Sequence, residues 1–320
     1  MYRSRIASSG YYLPKKIYTN KDLESLVETS DEWIKKRTGI EQRHVAAEDE
    51  TTSDLAVQAA EMALKNAGLS GSDMDAVILA TTTPDQTFPA TAVTVQDKIG
   101  MGDHGFAFDV QAVCSGFVYA LAVADNFIKT GQVKRALVIG AEKFTNLLDW
   151  DDRTTCVLFG DGAGAVILEA DENQNCGIFS THLHSEGAHR GLLYVDGGVG
   201  STKTTGHVQM NGKEVFRHAV TRMSEVVMEA LHANNMTAQD IDWVVPHQAN
   251  KRIIDSTVNK LGLSHDQVIL TVAEHGNTSA ASIPLALAIG MEDGRIKPND
   301  MILMEAMGGG LTWGAALIKM

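Results

Sequence analysis

Three side chains able to carry out nucleophilic and hydrogen-bonding chemistry stand at the ends of apolar segments. Cys114 lies in Asp109-Val110-Gln111-Ala112-Val113-Cys114-Ser115-Gly116-Phe117, between an apolar strand (105–110) and a helix expected from about Ser115 to Lys129. First-turn N–H groups of a helix lack intrahelical acceptors and point toward such a sulfur. That setting predicts a thiolate, the nucleophilic form of cysteine. Ser115 and Gly116 are small enough to let an extended substrate approach the backbone. His247, in Pro246-His247-Gln248-Ala249-Asn250, follows an apolar strand spanning 241–245 and is expected to titrate near neutrality. Asn277 opens a helix of small residues within His275-Gly276-Asn277-Thr278-Ser279-Ala280-Ala281-Ser282-Ile283-Pro284. Met307-Gly308-Gly309-Gly310 lets backbone N–H groups come close to a ligand oxygen. Each feature also has an ordinary structural explanation: a buried cysteine, a loop histidine, an N-cap asparagine, a tight turn.

The elements around these residues alternate strand and helix, which predicts an α/β fold. A strand is expected over 6–12, closed by Pro14. Asn20 is expected to cap a helix over 21–28, and Ser30 another that carries Trp33-Ile34-Lys35-Lys36-Arg37 and stops at Gly39. Thr51-Thr52-Ser53 caps an amphipathic helix ended by Gly68, and strands are expected over 75–81, 135–142 and 165–170. The glycines at 160–164 precede a strand and so make no dinucleotide fingerprint.

The pattern then repeats. Met62-Ala63-Leu64 through Asp75-Ala76-Val77 resembles Glu229-Ala230-Leu231 through Asp242-Trp243-Val244 without a gap. Lys98-Ile99-Gly100-Met101 pairs with Lys260-Leu261-Gly262-Leu263, the 137–141 strand with 303–307, and 164–168 with 314–318. Four matches in one order indicate an internal duplication. The expected halves are 1–172 and 173–320. Aligned this way, Cys114 and Asn277 occupy equivalent positions, and ligand sites in such sheets lie at strand carboxyl ends.

The chain has 320 residues, enough for one large or two ordinary domains, and a net charge of −13 that argues against general nucleic-acid binding. Three cysteines without paired spacing predict no disulfide framework and a reducing, cytoplasmic setting. No metal-ligand spacing, signal peptide or membrane span is expected.

Together, the motifs around Cys114, His247, Asn277 and Gly309, with Thr29-Ser30-Asp31-Glu32-Trp33-Ile34-Lys35-Lys36-Arg37-Thr38-Gly39-Ile40, resemble the β-ketoacyl-[acyl-carrier-protein] synthase III family over residues 5–319. The resemblance implies a thiolase-like fold, two duplicated αβα halves in a five-layered αβαβα arrangement, and a homodimer without a metal or other cofactor. It implies a Cys114–His247–Asn277 triad, with the backbone N–H groups of Cys114 and Gly309 as oxyanion hole. Cys114 would take a short acyl group from an acyl-CoA and condense it with malonyl-[acyl-carrier protein], losing CO₂. Trp33, Arg37, Thr38, Arg153, Gly212 and Asn250 match CoA contacts. Phe88 and Met307 match the acyl pocket, Phe88 reaching into a second subunit. Arg217, Lys251, Arg252 and Lys260 match a basic face for the acidic carrier protein. Met307 stands where the family often has an aromatic residue.

The nearest rival is a relative using a branched, longer or specialised primer. A thiolase would be expected to carry a second catalytic cysteine, and an elongating synthase a second histidine. A Cys-His-Asn hydrolase shares residue types but not the order or the duplication. A non-catalytic carrier-binding homologue would be expected to lack Cys114 or His247.

Overall fold

The computed structural model of the protein describes residues 2–320. Strand β1 (Arg3–Tyr12) starts earlier than expected. A small hairpin of β2 (Lys16–Thr19) and β3 (Gln42–Val45) brackets α1 (Asn20–Glu24) and α2 (Asp31–Thr38). Thr19, not Asn20, caps α1: its hydroxyl accepts the Asp22 N–H while the Asp22 carboxylate accepts the Thr19 N–H. Asn20 instead turns inward, donating to the Ile40 carbonyl and accepting from Arg43. The helix ends at Glu24 because the Ser25 hydroxyl takes the Asp22 carbonyl, competing with the helical ladder. Helix α2 runs from its Ser30 cap to left-handed Gly39 as expected.

The first large sheet follows. After α3 (Thr52–Ala67), capped by Thr51, come β4 (Ala76–Ala80), α4 (Thr91–Lys98), β5 (Phe106–Val110), α5 (Gly116–Lys129), β6 (Arg135–Glu142) and β7 (Gly162–Asp171). Its strand order is β1-β7-β6-β4-β5. The second sheet uses β8 (Gly177–Ser185). A two-stranded piece of β9 (Leu193–Val195) and β10 (Val208–Met210) comes next, then α6 (Gly212–Ala233), β11 (Trp243–Pro246), α7 (Lys251–Leu261), α8 (Val272–His275), α9 (Ser282–Glu292), β12 (Met301–Gly308) and β13 (Thr312–Lys319). Its order is β8-β13-β12-β11. The two orders match strand for strand, except that β5 has only a single parallel bridge, Val244 to Val268, as its counterpart.

Five layers result, because both faces of both sheets are apolar. Ile78 and Val138 of the first sheet, and Ile302 and Met304 of the second, close on Phe117 and Leu121 of α5 and Leu287 of α9 in the centre. The alternate residues Val77, Leu79 and Ile139 face α3. Leu303, Leu317 and Val244 face α6 and α7. The repeat extends to hydrogen bonds: Asp75 accepts the Arg135 N–H and donates to its carbonyl, and Asp242 does the same with Met301.

One expected equivalence is corrected. Val113 and Ser279 each adopt φ of 49°, each opens a single 3₁₀ turn, and each turn leads into a central helix, α5 or α9. The backbone counterpart of Cys114 is therefore Ala280. Asn277 lies earlier, in the loop before the turn, where the sequence alignment had no matching residues to fix the register.

Candidate active site

Cys114 sits on the 3₁₀ turn, two residues ahead of α5. A β-branched residue in the left-handed region, as at Val113, is a strained conformation that surrounding contacts must hold. The Ser115 hydroxyl donates to the Ala112 carbonyl at 2.8 Å, and the Thr312 hydroxyl reaches the same carbonyl at 3.0 Å, clamping the turn to β13. A Cβ added to Gly308 would lie 2.7 Å from the Cys114 nitrogen. Glycine is thus required for the Gly308–Gly309 backbone to run against the Cys114 amide.

The sulfur is not held as a thiolate. Burial pushes the Cys114 thiol up to about 12, and the Glu142 charge pushes the same way, whereas the adjacent Ser279 hydroxyl opposes it. Desolvation outweighs the helix end because Cys114 is 4% exposed and α5 begins beyond it.

His247 extends β11, its N–H donating to the Glu305 carbonyl at 2.8 Å. Its ring is buried, and Nδ1 has no hydrogen-bond partner among the described residues. Burial drives its pKa down to about 3, so the imidazole is neutral at physiological pH and the expected titration near neutrality is displaced far into acid. Asn277 is not the N-cap of α9. Its Oδ1 accepts the N–H of Ser279 at 2.9 Å, a short Asx turn, and its backbone bonds Leu158 and Gly160 of the other half.

Cys114, His247 and Asn277 line one cavity of about 580 Å³. Trp33, Arg37, Thr38, Gly212 and Asn250 line the same space, as do Met307 and Arg252. Trp33 lies against two guanidinium groups, Arg37 at 4.9 Å and Arg153 at 5.3 Å from the ring centre. Arg153 reaches the site only through Trp33; it does not line the cavity, and its Nη1 donates to the Glu28 carbonyl. Asn250 caps α7 through the Ile253 N–H, and the Thr38 hydroxyl closes α2 on the Ile34 carbonyl.

Gly309 lines a neighbouring cavity of about 330 Å³ with Val113, Thr82 and Leu147. Phe88 lines neither and is 82% exposed. Arg217 and Lys251 are exposed but paired with Glu214 and Asp255, both at 2.7 Å; Lys260 is exposed on the last turn of α7. Among the described residues, no group of His, Cys, Asp and Glu side chains is placed to hold a metal ion. No helix among them is long and apolar enough to cross a membrane.

Sequence reasoning missed Lys213, which also lines the cavity, and Ser279 and Glu142, which stand beside Cys114. Lys213, directly after Gly212, was open to a reading of charge near the CoA positions. Glu142 and Ser279 carried no such signal, since their meeting depends on packing between the halves.

Family models described as 3-oxoacyl-[acyl-carrier-protein] synthase III match residues 108–187, and those of its C-terminal region match 231–320. The β-ketoacyl-[acyl-carrier-protein] synthase III of Paramagnetospirillum magneticum is 65% identical over 99% of both chains. The chain belongs to the β-ketoacyl-[acyl-carrier-protein] synthase III family. It is accordingly a condensing acyltransferase with a thiolase-like fold. The crystal structure of the synthase III from Aquifex aeolicus superposes with a TM-score of 0.95 at 47% identity, covering 99% of this chain and 100% of that one. The priming β-ketosynthase of the R1128 polyketide pathway superposes at 0.94 with 33% identity, covering 99% and 96%.

Proposed function

We propose that this synthase III starts type II fatty acid synthesis in the cytoplasm by condensing a short acyl-CoA, acetyl-CoA foremost, with malonyl-[acyl-carrier protein]. The observation that carries the reading is that Cys114, His247, Asn277 and Trp33 all line one cavity. Trp33 and Arg153 clamp the adenine ring of CoA, and the rest of CoA runs past Arg37, Thr38, Gly212 and Asn250 toward the sulfur.

Cys114 attacks the thioester carbonyl, the C–S bond to CoA breaks, and the thiol proton ends on the departing CoA sulfur. The N–H groups of Cys114 and Gly309 hold the oxyanion. Malonyl-carrier protein then occupies the vacated arm. Neutral His247 and Asn277 donate to its thioester oxygen, the carboxylate leaves as CO₂, and the enolate carbon attacks the acyl-Cys114 carbonyl. The C–S bond to Cys114 then breaks, releasing 3-oxoacyl-[acyl-carrier protein] and a sulfur that takes a proton from water to restore the thiol. A neutral imidazole suits this role, because the step needs a donor at the oxygen and not a base. The halves 1–172 and 173–320 each supply one side of this site.

The acidic carrier protein docks on Arg217, Lys251, Arg252 and Lys260 around the mouth. In a homodimer, Phe88 of a second copy closes the acyl pocket beside Met307, which favours short primers. Met307 is adaptable and fills irregular space, so primer choice is set by it and Phe88 together. The R1128 relative supports a second reading, a specialised primer on the same triad.

Intact mass measurement after exposure to acyl-CoAs from acetyl to octanoyl, branched forms included, tests this. A gain confined to acetyl and propionyl, absent in Cys114→Ser, is the expected result. Preferential loading of long or branched groups favours the second reading, and no loading at all refutes both.

A further inference from the structure

Glu142 ends β6 in the place that Gly308 holds at the end of β12, since Leu137 to Ala141 pairs with Leu303 to Met307. Each strand end supports the catalytic turn of the opposite half. At Gly308 the Cys114 turn passes with no side chain between. At Glu142 a carboxylate fills the matching space and is fully buried.

Its partners explain how such a group is tolerated. The Thr82 N–H lies 3.1 Å from both oxygens. The Thr82 and Thr83 hydroxyls donate at 2.8 Å and 2.6 Å, and the Thr81 hydroxyl at 3.2 Å. A buried carboxylate is stable only when its lone pairs are occupied in this way. The remaining donor comes from the other half of the molecule: the Ser279 hydroxyl, at 3.1 Å from Oε1.

Ser279 is left-handed, with φ of 49°, a conformation that an L-residue keeps only when held. Its N–H donates at 2.9 Å to the Asn277 side-chain oxygen. With Oδ1 so engaged, the Asn277 –NH₂ is the end left to face the cavity. Rotating the amide would set two donors against each other at Ser279.

We propose that Glu142 is a positioning residue for the decarboxylation step, fixing through Ser279 the direction in which the Asn277 amide donates to the malonyl thioester. This rests on the role given above to Asn277. Glu142 touches no substrate; it acts on the reaction through the Ser279 backbone. A Gln at 142 has the same shape but one oxygen fewer, so it turns a donor toward part of the threonine and serine cluster and frees the Ser279 turn.

The test separates the two half-reactions. Acetylation of the wild-type enzyme, Glu142→Gln, Ser279→Ala and the double variant is followed by intact mass. CO₂ release from malonyl-carrier protein is then measured in a single turnover on the preacetylated forms. Glu142→Gln is expected to slow CO₂ release by roughly tenfold or more, as misplacement of one donor does, while acetylation, which feels Glu142 only through its charge near the Cys114 thiol, is not slowed to the same degree. Ser279→Ala, which keeps its backbone N–H, gives a smaller loss in the same step, and the double variant is no slower than Glu142→Gln alone. Equal losses in both steps, unchanged CO₂ release, or additive losses in the double variant would overturn the proposal. Asn277→Ala distinguishes the levels: if it releases CO₂ at the full rate, the assigned role of Asn277 fails, whereas an impaired Asn277→Ala beside an unimpaired Glu142→Gln overturns the Glu142 inference alone. If Glu142→Gln does not fold, the Ser279→Ala split between the two steps decides the matter.

Discussion

The Cys114 turn and the Asn277 loop follow one backbone path and carry different chemistry. In both halves a strand or its remnant leads to a left-handed residue, a 3₁₀ turn and a central helix. The first half places Cys114, the proposed nucleophile, just after the left-handed residue, on the turn. The second half places Ala280 there and sets Asn277 two residues before the left-handed one. The supports differ too, glycine under one turn and a buried carboxylate under the other. A duplicated scaffold fixes where backbones go, not which residue on them reacts. In the proposed reaction, capture of the acyl group calls for a sulfur beside backbone N–H groups, hence a glycine that lets another segment approach. The proposed decarboxylation calls for an oriented side-chain donor, the part we assign to a carboxylate and a serine.

The sharpest way to break this division is to remove the donors of the second half. His247→Ala is expected to accept an acetyl group as the wild type does but to release CO₂ some 10²–10³-fold more slowly, the cost of losing one donor at a developing oxyanion. Loss of acetylation in that variant, measured by intact mass, would put His247 in the first half-reaction and end the comparison.

A smaller effect probes the glycine. An alanine at 308 meets the Cys114 nitrogen at 2.7 Å. Gly308→Ala is therefore expected to slow acetylation about tenfold to a hundredfold by shifting the oxyanion donors. An unaltered acetylation rate would show that the two backbones need not touch.

The smallest effect concerns stability. His247 and His275 are buried neutral, with pKa values pushed down to about 3 and about 4 from 6.5. Below pH 6.5 the unfolded chain takes up protons that the folded chain refuses, so this stabilisation is complete above 6.5 and is lost as pH falls toward the folded values. Urea unfolding should show a loss of about 1 kcal/mol per histidine over the first unit below 6.5. Because His247 does not titrate near neutrality, CO₂ release should show no limb from it between about pH 5 and 8. A limb near 6.5 that vanishes in His247→Ala would contradict its burial.

Much of this was legible in the sequence. Continuous apolar runs such as 76–80 and 301–304 can be buried strands in any context, and Gly39 and Gly68 mark helix ends wherever they fold. The matched runs around Asp75 and Asp242 reflect the repeat because those aspartates make the same bond in each half, to the backbone of Arg135 in one and of Met301 in the other. Local competition was misjudged at Asn20, where a neighbouring threonine with an aspartate three residues on makes the better cap.

Sequence by itself determined the fold class and the family, and it marked Cys114, His247 and Asn277 as the candidates for the chemistry, because periodicity, turn chemistry and motif order are properties of neighbouring residues. Only the tertiary structure decided the ionisation of the site. Cys114 was expected as a thiolate and His247 as a group titrating near neutrality, yet burial holds one protonated and the other neutral. Desolvation depends on what the rest of the chain packs around a group, and the layers that close over Cys114 and His247 come from segments far from either in sequence. The same holds for Glu142 and Ser279, 137 positions apart, whose hydrogen bond exists only because two halves fold onto one central layer.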